Sequence, residues 1–204
     1  MVLDTVKDRQ ATRPPVHAHD LEDEVLKDDS GEDVRLGDLW RDRPTALVFL
    51  RHFGCVFCRH HAVRLHRARQ GFEDAGVGLA VIGMGTPEDA ADFRRIHGME
   101  LPVLVDPDRR IYERAGAKIA TIDELLSPKV VARGIKHTIL SRLRLGSVVV
   151  HQGRIRGHAA QLGGVLVVAP DGSVRYAHLS KDASDDPPPS EVLAAARAIR
   201  PRTK

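Results

Sequence analysis

Long apolar runs are missing from this chain. Nowhere do about 18 apolar residues follow one another, which excludes a membrane-spanning helix. The first 20 residues, MVLDTVKDRQATRPPVHAHD, are polar and lack the apolar segment of a secretory signal, so a cytoplasmic location is expected. Aromatic residues are scarce at 4%, which leaves few platforms for stacking bases. Charge of one sign is not concentrated either. The net charge is +3 and the arginines are spread along the sequence, so neither nucleic acid nor membrane is expected as a partner. Cysteine is the most informative shortage. The chain holds only two, Cys55 and Cys58, and two residues so close together cannot staple a disulfide framework. Redox chemistry or metal binding remains.

What is present is an ordinary globular composition, 42% apolar and 29% charged, over 204 residues. At about 150 residues per domain, one domain is the better count. Residues 1–22 read as a charged N-terminal arm and residues 23–204 as one domain. Val34 to Trp40 reads as a short strand and a helical turn. Thr45 to Leu50 (TALVFL) is a continuous apolar run, the pattern of a strand buried on both faces. A helical stretch follows from Cys55 to Asp74, with Cys58, Ala62, Leu65 and Phe72 near one face and Gly76 as its C-cap. Val77 to Met84 is a second buried strand. Thr86, Pro87 and Asp89 carry the capping pattern of a helix that ends at Gly98. A third strand, Leu101 to Val105, and a short helix up to Gly116 come next.

Residues 117–147 read as an inserted segment with an amphipathic basic helix marked by Ile135, Ile139 and Leu143, and Val148 to Val150 as a short extra strand. Val165–Val168 and Val174–Leu179 flank Pro170-Asp171-Gly172, a hairpin signature. A Pro-rich linker leads to a last helix, Glu191 to Arg200, with Ser190 as its cap. The order β-α-β-α-β-α-insert-β-β-α predicts an α/β fold: a mixed central sheet flanked by helices, in the connectivity of a thioredoxin-like fold with a helical insert.

The pair Cys55-Val56-Phe57-Cys58 follows a buried strand and opens a helix. Unpaired N–H groups and the partial positive charge of a helix start favour thiolate over thiol there. Arg51, His52 and Arg59 add charge or potential charge nearby. Cys55, at the open end, is expected to be the exposed nucleophile. Cys58, one turn on and facing the core, is expected to be the shielded resolving thiol. A metal site is the rival reading, with His52, His60, His61 or His66 completing the ligands. A binding module that senses oxidation is a third.

The segments RHFGCVFCRHH, LPVLVDPDRRIYERAGA and GGVLVVAPDGSVRYAH resemble the alkyl hydroperoxide reductase and thiol-specific antioxidant family, in its peroxiredoxin-like branch with a Cys-x-x-Cys. The resemblance spans about residues 25–200. It implies a thioredoxin fold and a thiol-dependent antioxidant or oxidoreductase activity, with Cys55 reactive and Cys58 its partner. No cofactor is implied. The implied partners are a peroxide or disulfide substrate and an external thiol reductant such as thioredoxin, and a homodimer is compatible with the family. Two departures stand out. In the family pattern Pro-x-x-x-Thr-x-x-Cys, Val48 takes the proline position and His52 the threonine position. Where thioredoxins carry a cis-proline, this chain reads Gln161-Leu162-Gly163-Gly164, glycines that either admit a substrate backbone or simply begin a strand.

Overall fold

The computed structural model describes residues 19–121, 130 and 160–199. The basic insert helix around Ile135–Leu143 and the strand expected at Val148–Val150 lie outside the described residues, as does most of the N-terminal arm.

Among the described residues seven strands form one mixed sheet in the order β2-β1-β5-β4-β3-β6-β7. The central strands are β3 (Thr45–Phe49), β4 (Gly78–Gly83) and β5 (Val103–Val105), all parallel. β6 (Gly164–Val168) runs antiparallel to β3, and β7 (Val174–Leu179) antiparallel to β6. On the other edge a hairpin of β1 (Val25–Asp28) and β2 (Asp33–Arg35) pairs through β1 with β5. The hydrophobic pattern places β3, β4, β5 and the β6–β7 hairpin where they were expected. β2 and the helical turn after it, Leu36–Leu39, lie where a short strand and a turn were expected over Val34–Trp40, and β1, which makes a hairpin of β2, is an addition. The short, polar strands of this hairpin give little periodic signal.

Helices cover both faces, because β3 is buried on both. Ala46, Val48 and Leu50 face a core built with α2 (Val56–Arg67), α3 (Arg69–Glu73), α4 (Pro87–His97) and α6 (Pro189–Arg197). Leu47 and Phe49 face a second core with Trp40, with Leu21 of α1 (His19–Glu22), and with Ile111 and Tyr112 of α5 (Arg110–Arg114). Alternation of side chains along one strand thus feeds two cores. Leu21 is fully buried, so the packed part of the chain begins before residue 23.

Local chemistry explains the helix boundaries. At α4, Thr86 Oγ1 accepts from the Asp89 N–H, and the Asp89 carboxylate accepts from the Thr86 N–H, the reciprocal capping box expected from the sequence. Gly98 closes that helix in the left-handed conformation at φ 56°. The single helix expected over Cys55–Asp74 is instead two, α2 and α3, meeting at Ala68. Its N–H bonds to both Arg64 and Leu65 carbonyls, the tightened turn of a helix end. The last helix starts earlier than expected. Pro188 is its N-cap and Pro189 its first residue, where a missing N–H costs nothing, and Ser190 lies inside rather than at the cap.

The register decides what surrounds the cysteines. Phe49 pairs with Gly164, and Gly164 with Leu179. The carboxyl ends of the parallel strands therefore share one edge with Gln161–Gly163 and with the segment that follows β7.

Candidate active site

Cys55 sits at that edge as the N-cap of α2, in extended conformation. Its sulfur accepts the Cys58 backbone N–H at 3.4 Å, the role a serine or aspartate oxygen usually plays at a helix start. Arg51 brings a guanidinium to 4.0 Å from the same sulfur. That side chain is held in place because its Nε donates to the Gln161 carbonyl at 3.2 Å. The Arg51 backbone N–H points the other way, to Cys58 Sγ at 3.3 Å.

Ionisation of the two sulfurs diverges. Cys55 is lowered to about 6 by the hydrogen bond from the Cys58 thiol, helped by the Arg51 charge and by the N–H groups of Cys58 and Phe57, all working against burial. Cys58 is pushed well above the ordinary thiol value by burial and by its neighbour Cys55. One sulfur is a thiolate at neutral pH and the other a thiol. Both are reduced.

The expected contrast in exposure is not what the structure has. Cys55 is buried, with 6% of its surface exposed, the same as Cys58. Its side chain turns back over the helix start and joins the core cluster that includes Phe53, with Phe57 packed against it. The difference between the cysteines is electrostatic rather than one of access.

His52 lies beside Cys55 in sequence and is also buried. Burial, with Arg51 and Arg59 nearby, lowers its pKa to about 4, so the ring is neutral and brings no positive charge to the thiolate. Arg59, one turn along α2, feels both sulfurs electrostatically. His60 is exposed while His61 is buried, and among the described residues no three His, Cys, Asp or Glu side chains gather as a metal would need. Gly163 and Gly164 begin a strand, and their lack of side chains is a packing requirement. A Cβ on Gly163 would stand 2.1 Å from the Phe49 carbonyl oxygen, and one on Gly164 2.4 Å from that of His178.

The sequence reading placed Gln161 in the stretch that stands where thioredoxins carry a cis-proline but missed the work of its side chain, and it missed Asp186 altogether. Gln161 Nε2 donates to the carbonyls of Ala117, Lys118 and Leu162, so one side chain fixes the strand that in turn fixes Arg51. Asp186 arrives from the segment after β7. Its carboxyl is raised to about 7, by burial first and by the Cys55 charge second. Neither residue stands in a motif. A larger cleft of ≈ 180 Å³, lined by Arg43, Thr45, Gly78 and Glu100, opens at the opposite ends of β3 and β4, away from the sulfurs.

The mixed sheet with its flanking helices agrees with the comparisons to known proteins. The family model for the AhpC/TSA antioxidant enzyme matches residues 64–182. The chain belongs to that family. Peroxiredoxin-like 2C of Bos taurus is 32% identical, over 81% of this chain and 73% of its own length. The thioredoxin-like protein AAED1, chloroplastic, of Arabidopsis thaliana is 29% identical, over 87% and 72%. Among solved structures, the peroxidoxin BcpB of Mycobacterium tuberculosis superposes with a TM-score of 0.60 at 18% identity, over 87% of this chain and 94% of that one. The fold is therefore thioredoxin-like, and the protein is a thiol-dependent oxidoreductase of the peroxiredoxin-like kind. The family match begins at Arg64, after both cysteines, so their roles rest on the geometry above. No helix among the described residues is long and apolar enough to cross a membrane.

Proposed function

We propose that the protein reduces small hydroperoxides through a dithiol–disulfide cycle at Cys55 and Cys58. The observation that carries this reading is the divergence of the two sulfurs: a Cys55 thiolate held by Arg51 and by the Cys58 N–H, beside a protonated Cys58.

In the first step the Cys55 thiolate attacks the terminal peroxide oxygen. The O–O bond breaks, the sulfur becomes a sulfenic acid, and the departing alkoxide or hydroxide takes up a proton. In the second, the Cys58 sulfur attacks Cys55. An S–S bond forms, the S–O bond breaks, and the departing hydroxide takes up the proton that Cys58 has given up and leaves as water. An external dithiol, thioredoxin or one like it, returns both cysteines to thiols by exchange. Arg51 stabilises the thiolate and faces the developing negative charge on the peroxide. His52 fills the position of the family's threonine as a neutral ring, and Arg59 adds a more distant charge. The burial of Cys55 favours a small oxidant over a protein disulfide, because a sulfur only 6% exposed must be reached by its substrate. Free thiols of this kind belong in a reducing compartment, and the cytoplasm fits. The chain from α1 onward would act as one catalytic domain, and a homodimer is compatible with that reading.

The test compares hydrogen peroxide, an organic hydroperoxide and a small disulfide under one dithiol reductant. Turnover with the peroxides, abolished in Cys55→Ser, is the expected result. Cys58→Ser should still consume one equivalent of peroxide and accumulate the sulfenic acid. Turnover that survives in Cys55→Ser overturns the assignment.

A further inference from the structure

Resolution has a physical obstacle. Cys58 must attack as a thiolate, yet its thiol is buried and holds its proton far above neutral pH. A group that accepts this proton is needed, and it must be within reach of a sulfur that solvent barely touches.

A small cavity of ≈ 10 Å³ adjoins Cys58, lined by Arg51, Cys58, His61, Ser180, Asp182 and Asp186 among others. That is about the space of one water, and a water is held where two or more polar groups meet it. The lining provides them. His61 is 3% exposed, and neither ring nitrogen has a hydrogen-bond partner. Two unpaired nitrogens at such burial are costly unless something in the cavity meets them. Asp186 sets a carboxyl on the same cavity and interacts electrostatically with both sulfurs.

We propose that Asp186 takes the proton of the Cys58 thiol, through one water held between His61 and the carboxylate, as Cys58 closes the disulfide on oxidised Cys55. This rests on the dithiol cycle proposed above and assigns its missing base. The proton leaves Cys58, Asp186 becomes a carboxylic acid, and the new Cys58 thiolate attacks the Cys55 sulfur, forming the S–S bond as the S–O bond breaks and hydroxide departs. Asp186 then returns the proton, and the hydroxide leaves as water. The order of events helps. While Cys55 is a thiolate, its charge adds to burial in raising the Asp186 carboxyl. Conversion to a neutral sulfenic acid removes that charge and frees the carboxylate when it is needed. The other groups facing this carboxyl are Asp182 and Asp185, which raise it, and Arg64 of α2, which lowers it. Those facing His61 are Arg64, His60 and His178, all of which keep the ring neutral.

The proposal and a purely electrostatic role for Asp186 predict opposite signs. The negative charge of Asp186 raises the Cys58 thiol, so its removal alone would make Cys58 more acidic and closure faster. Loss of a base makes closure slower. The experiment mixes reduced protein with one equivalent of hydrogen peroxide and follows two products separately: sulfenic acid, by dimedone trapping, and the Cys55–Cys58 disulfide, by the mass loss of two hydrogens. Asp186→Asn should form sulfenic acid and then close it at least about tenfold more slowly, with Asp186→Glu recovering part of the rate. Closure at the wild-type rate or faster overturns the proposal. Should Asp186→Asn not fold, the wild-type pH profile decides. A closure rate that levels off above an inflection below about 7 supports the carboxylate, and one that climbs only into alkaline solution, following the thiol, overturns it. A wild-type chain that consumes peroxide and never forms the disulfide removes the dithiol cycle and this proposal together. A wild-type chain that closes, matched by an equally fast Asp186→Asn, removes the proposal alone.

Discussion

The backbone N–H of Cys58 points at the sulfur of Cys55 across 3.4 Å, so the residue proposed to resolve the oxidised site also stabilises the thiolate beforehand. The Cys58 thiol contributes more still, as the largest influence lowering Cys55. Each sulfur is tuned by the other. The cation between the strands then adds to an asymmetry that a two-residue spacer and a helix start already establish.

Arg51 is the cleanest place to test that tuning. Arg51→Met removes the guanidinium 4.0 Å from the sulfur and the bond to Gln161, and leaves the Cys58 hydrogen bonds intact. The Cys55 midpoint, read from thiolate absorbance near neutral pH, should rise from about 6. For a rise of one unit the thiolate fraction at the original midpoint falls about fivefold, while well above the new midpoint it is almost unchanged. A midpoint that does not move means the cation plays no part in the ionisation.

Much of this arrangement was legible in the sequence, and what was not has a common cause. Thr45–Leu50 announced a buried central strand, Thr86 and Asp89 announced a capping box, and the Cys-x-x-Cys after a strand announced a helix-capping thiol. All three are local patterns. The burial of Cys55 depends on a core cluster that gathers it with Phe53, Val81, Val165 and Val192 from separate parts of the chain. The approach of Gln161 to Arg51, 110 residues away in sequence, depends on β6 pairing with β3. Asp186 reaches the sulfurs only because Leu179 lies opposite Gly164. Periodicity carries no information about which strand edge a distant loop will join.

The buried histidines make the fold acid-sensitive, with a sign that can be worked out. His52 is lowered from 6.5 to about 4 and His61 from 6.5 to about 3, both mainly by burial. The unfolded chain binds these protons first, so stability is lost as pH falls below about 6.5, by up to about 1.4 kcal/mol per pH unit for each ring. Asp186 acts in the opposite direction. Its carboxyl is raised from 3.8 to about 7, so its contribution is full below 3.8 and lost as pH rises through about 7. Urea unfolding at a series of pH values separates the two. His61→Gln should lose less stability on acidification than the wild type, and Asp186→Asn should gain most above neutral pH. Parallel curves for wild type and His61→Gln would show that His61 titrates the same way folded and unfolded.

Gly163→Ala tests whether the glycines serve packing. The added Cβ would lie 2.1 Å from the Phe49 carbonyl oxygen and 3.6 Å from the Arg51 backbone nitrogen. The first contact is with backbone, which no rotamer change relieves. A loss of about 3 kcal/mol in unfolding free energy is expected. The displaced Arg51 should also raise the Cys55 midpoint. A stable variant with an unchanged midpoint would mean that β6 can shift without disturbing the site.

Tyr112 separates stability from chemistry. Its hydroxyl is fully buried beneath the site, 2.5 Å from the Leu50 carbonyl oxygen and 3.0 Å from that of Ile82, and it donates between them. Leu50 directly precedes Arg51, and its own N–H bonds to Ile82. The tyrosine therefore ties α5 to the ends of β3 and β4 where the active-site turn begins. Tyr112→Phe keeps the ring and its edge contact with Phe49 but leaves a carbonyl without its donor. The expected cost is about 1–3 kcal/mol in urea unfolding. The β3–β4 backbone bonds remain, so Arg51 keeps its place and the Cys55 midpoint should stay where it is. A shifted midpoint in a variant that is still folded would make Tyr112 part of what positions Arg51.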